Sequence, residues 1–241
     1  MKILKYALVV MTMLSMNSCI NYIDNYDEPN AGVEGVIEDA ETGEAIPLNP
    51  AGGNGLIVRL TEIEPIEATQ SNDFRADLDG TFTHRMLFEG KYTITTVDGP
   101  FVEQPEEVIK LKGVTKVTLK AVPYSRLKVN SSSANGRVFT LDYTVTPSSS
   151  DINVTNVYGY WNYSPACGDG GSNQAGWMEL KNEDGTPQLN GSAVFDLTNN
   201  GTLEENLYKV KANGGKLYFR VAAKVNGRLN YSTVQTLTLD I

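Results

Sequence analysis

The stretch VTKVTLKA, Val114 to Ala121, puts Val117, Leu119 and Ala121 on one side of an extended chain. Lys116, Thr118 and Lys120 fall on the other. An apolar face recurring every second residue is the mark of a half-buried strand in an antiparallel sheet. Neighbouring segments carry the same period. GLIVRLT aligns Leu56, Val58 and Leu60, and TFTHRMLF aligns Phe82, Met86 and Phe88. Turn-forming pairs separate them at Thr42-Gly43, Asp79-Gly80, Glu89-Gly90 and Asp98-Gly99-Pro100. Short strands at this spacing predict a sandwich or barrel.

After Pro123 a second set follows. Phe139, Leu141, Tyr143 and Val145 share one phase, as do Leu217, Phe219, Val221, Ala223 and Val225. Asn226-Gly227 then supplies the strongest hairpin turn in the chain. One segment departs from the strand period. Thr202 with Glu205 forms a capping-box pattern, Leu203, Leu207 and Val210 have helical spacing, and Gly214 can end the run, which leaves helix and strand both open for 202–214. The predicted class is all-β, with two consecutive antiparallel β-sandwich domains at 31–123 and 124–241.

The amino terminus reads as a processing signal. Lys2 and Lys5 precede an apolar run from Tyr6 to Met16, 11 residues long, whereas a bilayer needs roughly 20. The run leads to Ser18-Cys19 and resembles a bacterial lipobox. That resemblance implies a signal peptide over 1–18 and a lipid on Cys19, holding the mature protein to a membrane without spanning it. Residues 19–30, with Asp24, Asp27, Glu28 and Pro29, read as a short acidic tether. Removing 1–18 takes away two lysines and no acid, moving the formal net charge from −9 to −11. Such a body argues against nucleic acid or anionic lipid as partners. With Cys19 lipidated, Cys167 has no thiol partner and reads as a bystander.

Four segments carry a family resemblance. They are Gly35-Val36-Ile37, the turn Asp39 to Glu44, Asp79-Gly80-Thr81-Phe82, and Leu87 to Tyr92. Together they resemble the carboxypeptidase-regulatory-like (transthyretin-like) β-sandwich, in which Phe82 and Tyr92 would cover the interior. The mature chain as a whole is similar to a family of Bacteroidetes lipoproteins of unknown function. Its members pair this module with a C-terminal immunoglobulin- or fibronectin-like sandwich, beside SusC/SusD-type uptake systems. The resemblance implies an outer-membrane anchor with SusC/SusD-type proteins as partners. Asp24, Asp27 and Glu28 after Cys19 resemble a surface-export signal, which favours the cell surface over the periplasmic face and leaves both open. The family resemblance implies no catalytic residues.

The residues themselves point the same way. The one histidine, His84, shares a strand with Phe82, and no G-x-S-x-G elbow or His/Cys cluster accompanies it. No cofactor or metal is expected, and Asp77-Leu78-Asp79-Gly80 reads as a hairpin turn rather than a calcium loop. The richest binding signal is VYGYWNYSPACGDGGSNQAGW, Val157 to Trp177. Alternation sets Val157, Trp161 and Tyr163 on one face, with Tyr158 and Tyr160 on the other. Sugars dock flat C–H faces on aromatic rings and need polar partners for their hydroxyls. Candidate ligand residues are therefore Tyr158, Tyr160, Trp161, Asn162, Asp169, Asn173 and Trp177, with Gln174 nearby. The plainer reading makes Trp161 the core tryptophan of an immunoglobulin-like sheet and the loop after it a mere connection. The expected function is non-catalytic glycan or nutrient capture in an uptake system. The alternatives are a fimbrial or adhesin-type subunit and an architectural partner of the transporter without a ligand.

Overall fold

A computed structural model describes residues 28–52, 54–65 and 67–240. The signal segment, Cys19 and most of the tether lie outside the described residues.

The first seven strands are β1 (Ala31–Asp39), β2 (Ile57–Glu64), β3 (Asn72–Arg75), β4 (Thr81–Leu87), β5 (Gly90–Val97), β6 (Glu106–Leu111) and β7 (Val114–Ala121). They form one sheet in the order β4-β1-β7 and another in the order β3-β2-β5-β6. The inward phases meet in a single core that includes Ile37, Val58, Leu60, Phe82, Ile94 and Leu119. Each fully buried side chain of this kind contributes roughly 1.5–3 kcal/mol. Gly35 is required by this packing, because a Cβ there would run into the Phe82 ring and the Val117 carbonyl.

Two local expectations are corrected. VTKVTLKA pairs with β1 in parallel, not antiparallel. β6 pairs with β5 while β7 pairs with β1, so the chain changes sheets at Lys112-Gly113 and reaches β1 running in the same direction. Met86 and Phe88 do not share the phase of Phe82. Opposite Ala31 to Val33, strand β4 advances one residue more than β1. The bulge reverses the alternation, turning Leu87 into the core and leaving Met86 and Phe88 exposed.

The remaining strands are β8 (Ser125–Asn135), β9 (Val138–Pro147), β10 (Asn156–Asn162), β11 (Gly176–Glu179), β12 (Asn190–Asp196), β13 (Lys216–Val225), β14 (Arg228–Tyr231) and β15 (Gln235–Thr238). One sheet runs β12-β9-β8. The other runs β11-β10-β13, and β14 and β15 share the far edge of β13. Phe139, Leu141 and Tyr143 pack against Val157, Trp161, Phe219 and Val221 in a second core. The β13–β14 hairpin turns on Asn226 and Gly227 at φ 49° and 78°, the pair of positive values that a twist-compatible two-residue loop needs.

The ambiguous segment is helical: α1 (Gly201–Glu205) and α2 (Leu207–Ala212). Its cap is Asn200, whose side chain accepts a hydrogen bond from the Leu203 amide at 2.9 Å. Thr202 already lies inside the first turn, so the expected capping box does not form. Leu203 and Val210 enter the second core. Among the described residues, no helix is long and apolar enough to cross a membrane.

The two bodies meet along a polar seam. Asp39 at the end of β1 accepts from Arg126 of β8, at 2.8 Å from Nη2 and also from Nε. Asn230 of β14 donates to the Pro100 carbonyl at 3.0 Å and accepts from the Ser125 amide at 3.1 Å. Arg220 of β13 reaches across to the Leu48 carbonyl at 2.7 Å.

Candidate functional site

Strand β10 divides its aromatics between two environments. Trp161 points into the second core and is 3% exposed, so it occupies the core-tryptophan position and offers no face to a ligand. Tyr160, on the opposite face, is also 3% exposed. It packs with Cys167, Tyr218, Ala222 and Tyr231 in a small cluster beneath the loop that follows β10. Its hydroxyl donates to Asp169 Oδ1 at 3.4 Å. Burial, with Tyr231 and Asp169 close by, raises the phenol well above its ordinary value.

Asn162 is fully buried. Its amide donates to the carbonyls of Ala166 at 2.8 Å and Ser172 at 2.9 Å, and its oxygen accepts from the Tyr163 amide at 2.9 Å. Those bonds use it as a clamp on the 163–175 loop, so it too is unavailable to a ligand. Asp169 sits where the loop touches the first body. Its Oδ2 accepts from Asn54 at 2.9 Å. Asn173 is half-buried, with its amide 3.5 Å from the Asp169 carbonyl, and faces a separate small hollow beside Ala51 and Asn54.

What remains open is the outer aromatic pair. Trp177 of β11 is 58% exposed, and its ring meets Tyr158 edge-on at 5.8 Å and 76°. Tyr158 lies 6.1 Å from Tyr160 in turn. These three rings border a cleft of about 280 Å³ completed by Asp169, Gln174, Lys224 and Leu229. Gln174 Oε1 is enclosed there without a hydrogen-bond partner among the described residues. Lys224 Nζ makes no ion pair among the described residues. Burial and the charges of Glu179 and Asp169 raise the Tyr158 phenol, so it stays a neutral donor at physiological pH. Glu179 is itself occupied by Lys181 at 2.9 Å and Asn156 at 2.6 Å.

A second cleft, of about 390 Å³, opens between the two bodies. Asn54, Leu56, Arg75 and Asp98 line it from the first, and Asp169, Arg228, Leu229 and Tyr231 from the second. Its polar lining and its position escaped the sequence reading, which had no means of juxtaposing segments so far apart. Behind it lies Arg220, fully buried, with its guanidinium 4.5 Å from the centre of the Tyr231 ring. Arg220 also donates to the Ser232 carbonyl at 2.8 Å and the Cys167 carbonyl at 3.1 Å. Burial lowers it from 12.5 to about 10. Cys167 is enclosed beside it, its thiol 3.5 Å from the Tyr218 carbonyl and pushed up by burial to about 12.

His84 lies in the other body, stacked on Phe74 at 5.0 Å. Among the described residues, no group of three or more histidine, cysteine or acidic side chains is placed to hold a metal ion. Asp79 Oδ1 accepts from both the amide and the hydroxyl of Thr81, at 3.1 and 2.7 Å, so it closes its own turn.

Fold and site together describe an all-β protein of sandwich bodies carrying an exposed aromatic cleft. Residues 125–236 match the family model DUF3823_C, a domain of unknown function. A DUF3823 family protein from Parabacteroides merdae is 23% identical, with a TM-score of 0.70 over 88% of this chain and 100% of that one. A DUF3823 family protein from Bacteroides uniformis is 21% identical, with a TM-score of 0.68 and the same coverage. A third structure, also from Bacteroides uniformis and named as a candidate carbohydrate binding protein, is 19% identical with a TM-score of 0.65 over 88% of this chain and all of that one. These likenesses establish a shared fold. Comparison with curated proteins finds no match.

Proposed function

We propose that this chain is a non-catalytic glycan-binding protein of the cell envelope, with the Tyr158–Trp177 cleft as its saccharide site. The observation that carries the reading is Trp177, a large aromatic held more than half exposed and steadied edge-on by Tyr158. An indole left in water has no folding benefit there, whereas a flat apolar face with polar groups at its border suits a sugar ring. Gln174, Lys224 and Asp169 provide those groups. The shared fold with the Bacteroides uniformis candidate carbohydrate binding protein is compatible with this role.

The wider setting is part of the proposal. A lipid on Cys19 would hold the two bodies at the outer membrane, facing the cell exterior, and a SusC/SusD-type transporter would receive the captured glycan. Calorimetric titration of the mature protein against a panel of polysaccharides tests the binding role. Heat with at least one glycan, lost in Trp177→Ala, supports it. No heat with any glycan, or affinity unchanged by that substitution, rejects it. Mass spectrometry of protein from native membranes tests the anchor separately, through the acyl mass expected on an amino-terminal Cys19.

A further inference from the structure

We propose that the cleft between the two bodies is a subsite for an anionic group, carboxylate or sulfate, on the same saccharide chain whose neighbouring unit stacks on Trp177. This rests on the glycan reading above and assigns its ligand a chemical class. The two clefts are contiguous, because Asp169, Gly227 and Leu229 line both. A chain leaving the Trp177 face past the β13–β14 turn therefore enters the cleft between the bodies. The two volumes, about 390 and 280 Å³, together suit an oligosaccharide rather than a single sugar.

The charge of that second cleft differs from the rest of the molecule. The chain carries a formal net charge of −9, yet here Arg75 and Arg228 line the cleft with two carboxylates, Asp98 and Asp169, and a third guanidinium, Arg220, is buried behind it. Arg75 lines the cleft, donates to the Gly55 carbonyl and pairs with no carboxylate among the described residues. Among the described residues Arg228 pairs with Asp98, at 3.0 Å, in an ion pair exposed on both sides. Arg220 adds a third positive charge immediately behind the Tyr231 ring that lines the cleft. Its hydrogen bonds go to neutral carbonyls, and Nη2 has no partner among the described residues. A buried charge without a counter-ion is little screened by salt and projects its field into the nearest opening. Of the two acids, Asp169 is already held by Asn54 and Tyr160. Among the described residues, Arg75 is thus the cationic group lining the cleft that has no carboxylate partner and is placed to form a charge-assisted pair with an incoming anion.

The test is titration of the full mature chain with paired probes. Uronate oligosaccharides are compared with their carboxyl-reduced counterparts, and sulfated galactan oligosaccharides with their desulfated counterparts. At least one acidic probe is expected to bind about tenfold tighter than its neutral partner, the value of one charged hydrogen bond. The pair that shows the difference identifies the source of the charge. Raising the salt concentration narrows the ratio for the unaltered protein. Arg75→Gln narrows it as well, with an unfolding midpoint showing that the variant is folded. Equal binding of acidic and neutral probes overturns the anionic subsite and leaves the saccharide site standing. So does an acid preference that Arg75→Gln does not reduce. Binding of no probe at all overturns both.

Discussion

Asn49 and Asp169, 120 positions apart, exchange two hydrogen bonds through one side chain. The Asn49 amide donates to the Asp169 carbonyl at 3.0 Å, and its oxygen accepts from the Asp169 amide at 2.8 Å. The side chain thereby copies the donor–acceptor pattern of a strand and fixes the glycine-rich loop of the second body to the first. Asn49 is nearly enclosed, so each bond lost leaves a polar group without water. Replacement by alanine should destabilise the protein by about 1–3 kcal/mol and raise amide exchange over residues 166–173. A change in urea midpoint with no change in exchange at the loop would contradict the role assigned to Asn49.

Arg220 should not tolerate lysine. The guanidinium reaches three carbonyls in different directions, at Leu48, Cys167 and Ser232. A lysine keeps the burden of burying a positive charge but concentrates its donors on one atom. Arg220→Lys is therefore expected to cost at least about 2 kcal/mol in urea unfolding. A midpoint equal to that of the unaltered protein would show that the fork geometry is not needed.

The Asp39–Arg126 pair gives the seam an acid sensitivity. Burial alone would raise the Asp39 carboxyl, but hydrogen bonds from Arg126 and the Glu41 amide hold it below its ordinary value of 3.8. A carboxylate with a depressed folded value stabilises the protein above its unfolded value. That contribution is lost as pH falls below 3.8 and through the folded value. Asp39→Asn should cost roughly 1–3 kcal/mol at neutral pH and flatten this part of the stability profile. An unchanged acid limb in the variant would locate the sensitivity elsewhere.

The two tryptophans should separate cleanly. Trp161→Ala empties a core position and is expected to cost about 3–5 kcal/mol. Trp177→Ala removes a mostly exposed ring and should cost less than about 1 kcal/mol. Fluorescence checks the assignment independently. With Trp177 removed, the remaining emission should be blue-shifted and protected from acrylamide, because it comes from the enclosed Trp161. Emission centred at the value of free indole in water would be incompatible with that placement.

The strand phases could be read from the chain because each body buries one face of its sheets, and a buried face imposes a period of two. The reading failed where pairing partners, and not the strand itself, decide the outcome. Met86 and Phe88 are turned outward by a bulge set against β1, and the direction of β7 depends on which edge it reaches. The site shows the same division. Composition and alternation mark Tyr158 and Trp177 as candidates, and the structure leaves Trp177 exposed with Tyr158 packed edge-on against it. Tyr160 and Asn162 are buried because β14 and the following loop fold over them, a tertiary event. One signal was available for Arg220. In KLYFRVAAKV, Lys216 to Val225, Tyr218 and Ala222 are apolar on the face opposite Phe219 and Val221. A strand apolar on both faces is covered on both, and the arginine between them must be enclosed.

Two of the side-chain donors at the joint between the bodies, Arg220 and Asn230, are received by peptide oxygens, those of Leu48 and Pro100. A peptide oxygen is supplied by any amino acid. Volume-preserving replacements at these two receiving positions therefore leave both bonds intact, while Arg220 and Asn230 have no such latitude. At these two points the alignment of the halves outlasts turnover of the residues that receive the bonds.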